Sequence, residues 1–299
     1  MTNSIMALPS SIRHYRRKQM AINQVAQTPA ISPLTIKERT GSISTAEMIS
    51  VLKGETTALH IKQAFSTEVA EEITTNFLGS PGLKERKDGV PGQYVGASHY
   101  RKDAATYFAE SETARPHVDA LFENLVDPVR GSFDALKREL HKQGIELRLA
   151  RSEHGHANVC RALSWSGSGT FSLDPHDDVA QVLSAGNDYE LSAVAHNTVA
   201  ALNFYPSMPE EGGNLRLWSH KPTVADRKSQ GVETTGYPYS SAYLEAVPCR
   251  EFQLKPGDIA LIDGGFVHGV TGQSGNGKRR LVLNSFFGFA RPDLVLWWT

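Results

Sequence analysis

The segment SLDPHDDVAQV sets His176 and Asp178 two residues apart at the end of a β-like run, so on an extended backbone both side chains project to one side. An imidazole and a carboxylate on one face can share a divalent metal ion. His268 follows 90 residues beyond Asp178, in KPGDIALIDGGFVHGV, just past a second strand-like run. A barrel can bring two such strand ends side by side. Two histidines and one carboxylate then occupy three corners of an octahedron and leave the opposite three open. That donor set suits iron(II), whose open positions take a bidentate co-substrate and dioxygen.

A third piece, GKRRLVLNSFF, opens an apolar strand with Arg279 and Arg280, 11 and 12 residues after His268. An arginine buried in a barrel is costly unless it holds an anion, and the guanidinium fork matches a carboxylate through paired hydrogen bonds. Asn203 in ALNFY shares a strand face with Tyr205 by the two-residue period, which makes it either a co-substrate contact or a satisfied polar group of the core.

Four pieces in this order resemble the prolyl-4-hydroxylase-like branch of the iron(II)/2-oxoglutarate dioxygenases. HDD stands for the family's HxD, ALNFYPSMPEEGGNLRLW for its strand–loop–strand with GGxLRL, PGDIALIDGGFVHGV for its GD…F…H segment, and RRLVLNSFF for its arginine strand; together they span roughly residues 170–290. The resemblance implies a double-stranded β-helix, the jelly-roll of cupin-like proteins. It implies that His176, Asp178 and His268 ligate Fe(II), and that Arg280, which begins the alternating strand directly, pairs with the distal carboxylate of 2-oxoglutarate in preference to Arg279. Asn203 falls where the family has a polar residue near the co-substrate.

The implied reaction is hydroxylation, or another oxidation, of an unactivated C–H bond of a small molecule, with O2 consumed and succinate and CO2 released. The chain is similar to bacterial tailoring oxygenases, whose substrates are amino acid derivatives and specialised metabolites. Halogenating relatives put a small residue where this chain has Asp178, so oxygenation is favoured over halogenation. Two alternatives stand beside this reading: a hydroxylase of peptidyl residues, and a non-catalytic cupin-like metal binder, against which Arg280 argues.

Other polar residues have plainer readings. Asp177 points away from Asp178 on an extended backbone and reads as a turn or surface residue. His154 and His156 share a face but lack a third ligand at matching spacing. His196 and His220 read as structural or exposed. The glycine-rich tracts GVPGQ, WSGSGTF and GQSGNG match no GxxxxGK[ST] and open no helix, so they are turns. Trp297 and Trp298 are packing residues or the association surface of a homodimer.

The elements that must position these residues fall into two halves. Residues 1–45 mix Ser, Thr, Pro and scattered charge without a period and read as an arm, with Arg13, Arg16, Arg17 and Lys18 solvated. Residues 46–144 read as helical support. STEVAEEITTNFL from Ser66 has a cap, early acidic residues and apolar Val69, Ile73 and Phe77. Pro116 reads as a first-turn residue of a stripe running Val118 to Leu140, interrupted at Pro128 with Asp127 as a new cap, and ending near Gly144. From Ile145 the period falls to 2 and short strands follow to residue 299, giving an α+β class with the barrel C-terminal. Residues 219–247, with Tyr237, Tyr239 and Tyr243, exceed an ordinary connection and read as a lid.

Composition narrows the partners. Lysine plus arginine, 31, balances aspartate plus glutamate, 32, so no whole-molecule field gathers nucleic acid or an anionic membrane. No apolar run reaches the ~18 residues of a spanning helix. The N-terminus lacks a secretory pattern, which leaves the cytoplasm as the expected location. Cys160 and Cys249 match no zinc or redox spacing and read as buried free thiols.

Overall fold

The computed structural model describes residues 29–86, 90–185, 189–274 and 279–299; the basic cluster at Arg13–Lys18 lies outside them. Along the first half come β1 (Ile36–Thr40), α1 (Thr45–Leu52), β2 (Ala58–Lys62), α2 (Thr67–Leu78), β3 (Lys84–Glu85), β4 (Gly92–Val95), α3 (Ala104–Asp119) and α4 (Pro128–His141). The strand-rich half begins with β5 (Glu146–Leu149), β6 (Arg151–Ser152), β7 (Gly155–His156), β8 (Arg161–Trp165) and β9 (Phe171–His176), followed by α5 (Val179–Leu183). Then come β10 (Ala200–Ser207), β11 (Glu211–Gly212), β12 (Leu215–Trp218), α6 (Val224–Gln230) and α7 (Ser241–Leu244). The chain closes with β13 (Cys249–Phe252), β14 (Asp258–Asp263), β15 (His268–Thr271), β16 (Gln273–Ser274), β17 (Arg280–Arg291) and β18 (Leu294–Trp298).

Two sheets carry the architecture, and the class is α+β as expected. A ten-stranded sheet runs β1-β2-β14-β10-β17-β8-β4-β3, with β18 and β5 joined at the long β17; a four-stranded sheet runs β13-β12-β15-β9. Pairing is antiparallel except β1 with β2 and β18 with β5. Strand alternation separates two cores. Ala201 and Tyr205 of β10, with Val282 and Phe286 of β17, face Leu215, Leu217 and Phe252 of the smaller sheet. Ala200, Leu202 and Phe204, with Leu281 and Leu283, face Met48, Ile73, Phe77, Phe133 and Leu136 of the helices. The helices therefore brace the outside of the large sheet, and the space between the sheets is the barrel interior.

Several local expectations change. Residues 36–40 form an edge strand rather than irregular arm, paired in parallel with β2. Pro116 sits inside α3, which starts twelve residues earlier on the Asp103 cap, whose side chain accepts from Thr106 N. The buried stripe of α3 runs through Ala104, Ser111 and Ala114, small residues that give a weak apolar period. Asp127 does cap α4, accepting from the backbone N–H of Val129 and Arg130. Cys160 is buried but Cys249, on the outermost strand of the smaller sheet, is exposed, and both thiols are free. Trp297 and Trp298 are fully buried, so they are core and offer no association surface. Among the described residues no helix is long and apolar enough to cross a membrane.

Candidate metal and co-substrate site

His268 opens β15 directly opposite His176, the last residue of β9, in the antiparallel register. This cross-strand pairing puts the two imidazole centroids 4.2 Å apart. Asp178 arrives differently from the strand-period argument. The strand ends at His176, and Asp178 has φ −86° and ψ −10°, right-handed helical backbone at the start of α5. One donor atom from each of the three residues then lies within 4.8 Å of the others. The approach depends on Gly264, where a Cβ would come 2.4 Å from Asp178 Oδ2.

Hydrogen bonds fix the orientation of these groups. His176 Nδ1 lies 2.8 Å from Asp174 O and His268 Nδ1 2.9 Å from Phe266 O. A carbonyl oxygen can only accept, so both Nδ1 atoms carry a proton and the two Nε2 atoms are the positions that could meet a metal. Asp178 Oδ1 accepts from Gln181 Nε2 at 2.9 Å, while Oδ2 is buried without a hydrogen-bond partner, 3.3 Å from His268 Nε2. Burial pushes the His176 pKa down to about 4, with His268 adding to the shift, so this ring is neutral. Burial works against charge at Asp178 too, but the adjacent His268 and His176 rings hold its carboxyl below the usual range. Burial alone would lower His268; Asp178 overcomes it and raises it. Two Nε2 atoms and an orphaned carboxylate oxygen around one point fit a divalent cation.

Arg280 and Arg279 part company. Arg280 is 3% exposed, whereas Arg279 is exposed. The Arg280 guanidinium lies 4.6 Å from the centroid of Trp165 and 5.1 Å from that of Tyr205. Its Nε donates to Gly213 O at 2.9 Å and Nη2 to Tyr205 Oη at 3.5 Å, while Nη1 is buried without a partner. Gly213 has φ +66°, and a Cβ there would press on Pro209. Burial lowers the Arg280 pKa. No carboxylate pairs with Arg280 among the described residues, so an anion is needed from outside the chain.

Asn203 faces the barrel interior on the same side of β10 as Tyr205, with Oδ1 accepting from Asn284 Nδ2 at 3.0 Å. Asn284 Oδ1 in turn accepts from Arg161 Nε at 3.1 Å.

The reading of Asp177 as a turn or surface residue is corrected: its side chain is fully buried. Oδ1 accepts from the backbone N–H of Val179 and Ala180, Arg227 binds both oxygens, and Tyr239 Oη donates to Oδ2 at 2.6 Å. The helical turn after His176 reverses the face this side chain takes. Tyr237 packs its ring 6.1 Å from His176 and donates to Asp174 Oδ2. The segment after β12 thus lies against the metal-ligand turn. His154 and His156 lie on the surface hairpin of β6 and β7. His220 is structural, with Nδ1 donating to Ala30 O.

Residues 36–298 match the family described as the carrier-protein-independent halogenase WelO5. The chain belongs to this family, within the iron(II)/2-oxoglutarate dioxygenases. It is 28% identical over 256 residues to L-isoleucine 3(1)-dioxygenase of Pantoea ananatis (strain AJ13355), covering 80% of this chain and 82% of that relative. Similar solved structures include an N-substituted L-amino acid dioxygenase from Burkholderia ambifaria AMMD, at TM-score 0.48 and 12% identity, covering 85% of this chain and 91% of that one. The epimerase SnoN from nogalamycin biosynthesis is similar at TM-score 0.46 and 14% identity, covering 83% and 85%. Family members use iron(II), 2-oxoglutarate and dioxygen, the cofactors expected from the motifs.

Gln181, Trp165 and Arg227 were not singled out by sequence. Trp165 had a signal: RALSW alternates, which puts Arg161, Leu163 and Trp165 on one face. Gln181 and Arg227 had none.

Proposed function

We propose that this chain is a 2-oxoglutarate-dependent oxygenase that hydroxylates an unactivated C–H bond of a free amino acid or a close derivative. Asp178 carries the reading. The site offers two imidazole Nε2 atoms and a buried carboxylate oxygen lacking a hydrogen-bond partner, so the third position of the metal is filled by protein. A halogenase needs that position for halide, and the family's halogenating members put a small residue there. The relative that acts on L-isoleucine supports an amino acid as substrate.

In this reading His176, Asp178 and His268 hold iron(II), and the Nη1 of Arg280 takes the distal carboxylate of 2-oxoglutarate. Asn203, on Tyr205's face, takes the neighbouring place along the co-substrate. Bound iron would supply dioxygen activation coupled to oxidative decarboxylation of 2-oxoglutarate. The protein positions the groups and keeps water out. The rings of Trp165 and Tyr205 pack on the guanidinium, and Tyr237, hydrogen-bonded to Asp174, packs beside His176. Residues 219–247 serve as a lid-side wall of the site.

The test is an anaerobic titration with iron(II) and 2-oxoglutarate, followed by a panel of L-amino acids scored for succinate formed per product. Coupled turnover is expected in the wild type, with a loss of at least about 100-fold in Asp178→Ala. An Asp178→Ala enzyme that turned over at the wild-type rate would remove the carboxylate from the ligand set.

A further inference from the structure

Three polar side chains stand in one row across the interior face of the large sheet, the face that carries Ala201, Tyr205, Val282, Phe286 and Leu163. Asn203 of β10 pairs with Asn284 of β17, and Asn284 pairs with Arg161 of β8, so the row crosses three adjacent strands. Arg161 Nε donates to Asn284 Oδ1 at 3.1 Å, and Asn284 Nδ2 donates to Asn203 Oδ1 at 3.0 Å. The polarity of this row is set at one end. A guanidinium can only donate, so the Asn284 atom facing it must be oxygen. The other branch of that amide is then its NH2 group, and the atom that meets it on Asn203 must again be oxygen. An isolated amide could turn over and present nitrogen or oxygen; in this row neither amide is free to do so.

The group left over is Asn203 Nδ2. Asn203 is half-buried, and this nitrogen makes no hydrogen bond among the described residues. Arg161, by contrast, is engaged beyond the row and held from behind. Gly96, at φ +119°, packs directly on it, and a Cβ there would come 2.8 Å from Arg161 Cβ. The guanidinium also lies 5.8 Å from the Phe286 ring centroid. An anchored cation is therefore one end of the row and a bare N–H donor is the other. Hydrogen bonds in series polarise one another, so the charge at Arg161 strengthens the donor at Asn203.

Along β10 this donor lies between the two ends of the candidate site. Tyr205, two residues on, accepts from Arg280 Nη2. In the other direction Val199 O, just before the strand, accepts from Gly264 N at 2.7 Å, and Gly264 O accepts from Asp178 N at 2.8 Å. Asn203 is thus about 7 Å along the strand from Tyr205, on the way to the metal ligands. A molecule reaching from Arg280 to the metal passes it. With its distal carboxylate taken by Arg280, 2-oxoglutarate offers Asn203 the oxygens of its 2-oxo acid end, which only accept.

We propose that Arg161 is a positioning residue: through Asn284 it fixes the Asn203 amide with its nitrogen toward the 2-oxo acid end of 2-oxoglutarate, to which Asn203 donates. This rests on the oxygenase reading above and gives Asn203 a defined contact. Arg161 acts through two amides, whereas Arg280 acts by contact.

Equilibrium binding tests it without turnover. The full chain loaded with nickel(II) is titrated calorimetrically with 2-oxoglutarate and with 2-oxobutyrate, which keeps the 2-oxo acid and lacks the distal carboxylate. Asn203→Ala, Asn284→Leu and Arg161→Met are each expected to weaken 2-oxoglutarate binding about 10-fold, the worth of one hydrogen bond to a charged group. Asn203→Ala should weaken 2-oxobutyrate binding by the same factor. A relay implies losses that do not add: in an Asn203→Ala background, Asn284→Leu or Arg161→Met should cost less than about twofold more. A further loss of about 10-fold in that background would mean that Arg161 acts by its charge or its packing, and would overturn the relay. Arg161→Gln, which can face Asn284 with oxygen or nitrogen, carries the same expectation if Arg161→Met does not fold. Full 2-oxoglutarate affinity in Asn203→Ala would overturn the contact whatever the Arg161 variants do, and unchanged 2-oxobutyrate affinity would overturn its assignment to the 2-oxo acid end. Wild-type protein that fails to bind 2-oxoglutarate sinks the oxygenase reading as well, whereas binding that ignores Asn203 sinks this inference alone.

Discussion

Arg279 and Arg280 share a side-chain chemistry and differ in surroundings by one residue of strand alternation. Arg280 shares its face of β17 with Val282 and Phe286, inside the barrel; Arg279 is in water. A cation in water can trade its solvent for an anion at little gain, whereas one held between Trp165 and Tyr205 has already lost its solvent. Arg280→Met is therefore expected to raise the 2-oxoglutarate KM by about 100-fold, near 3 kcal/mol, with Arg279→Met changing it by less than about twofold. Succinate formation against co-substrate concentration measures both. The sequence showed this pair and the reason to choose between its members. It showed His176, Asp178 and His268 as well, because HDD and FVHGV each follow a recognisable strand-like run. Arg161 and Asn284 escaped notice because neither belongs to a motif, and what joins them to Asn203 is the pairing of three strands.

Elements explain what was legible at the next scale. Strands with strict alternation, such as ALNFY and RLVLNSFF, announced themselves; α3 did not, because its buried face is built partly of Ala and Ser. The register that sets His268 against His176 joins strands 92 residues apart by numbering and has no local signature. Caps were readable. Ser44 and Glu47 form a reciprocal box at the start of α1, and Arg39 of the neighbouring strand reaches Glu47 with Nε at 2.6 Å. The Arg39 guanidinium, with Ser44, holds the Glu47 pKa down at about 2, below its ordinary 4.5. A carboxyl depressed in the folded state stabilises the fold above its unfolded pKa and loses that contribution as pH falls toward the folded one. Because Arg39 is over one-third exposed, solvent screening reduces the effect to about 1 kcal/mol. Glu47→Gln should cost that much in urea denaturation at pH 7. The difference should narrow as pH drops from 4.5 toward 2 and be small at pH 2.

The whole molecule divides its labour between two sheets. The candidate metal ligands lie on or just after strands of the smaller sheet, and Arg280 extends from the larger. A co-substrate that touches both the metal and Arg280 would tie one layer to the other, while the helices behind the large sheet hold its geometry without entering the site. Metal at about 100 times its Kd adds about 2.7 kcal/mol to the folded state. Treating the iron-loaded protein with EDTA should lower the Tm by about 5 °C, and 2-oxoglutarate should raise it only when metal is present. Co-substrate stabilisation of the stripped protein equal to that of the loaded one would contradict a shared site. Thermal unfolding followed by circular dichroism reports both.

Asp177 and Asp178 are consecutive carboxylates with divergent surroundings: the first is clasped by Arg227 and Tyr239 from the long segment after β12, and the second belongs to the candidate metal site. Peptide geometry leaves little slack between them. An engineer who reshapes the tyrosine-bearing segment to admit bulkier molecules would therefore be tugging on the iron's anchorage, and altered selectivity should come bundled with weaker retention of the ion unless the clasp on Asp177 is left intact.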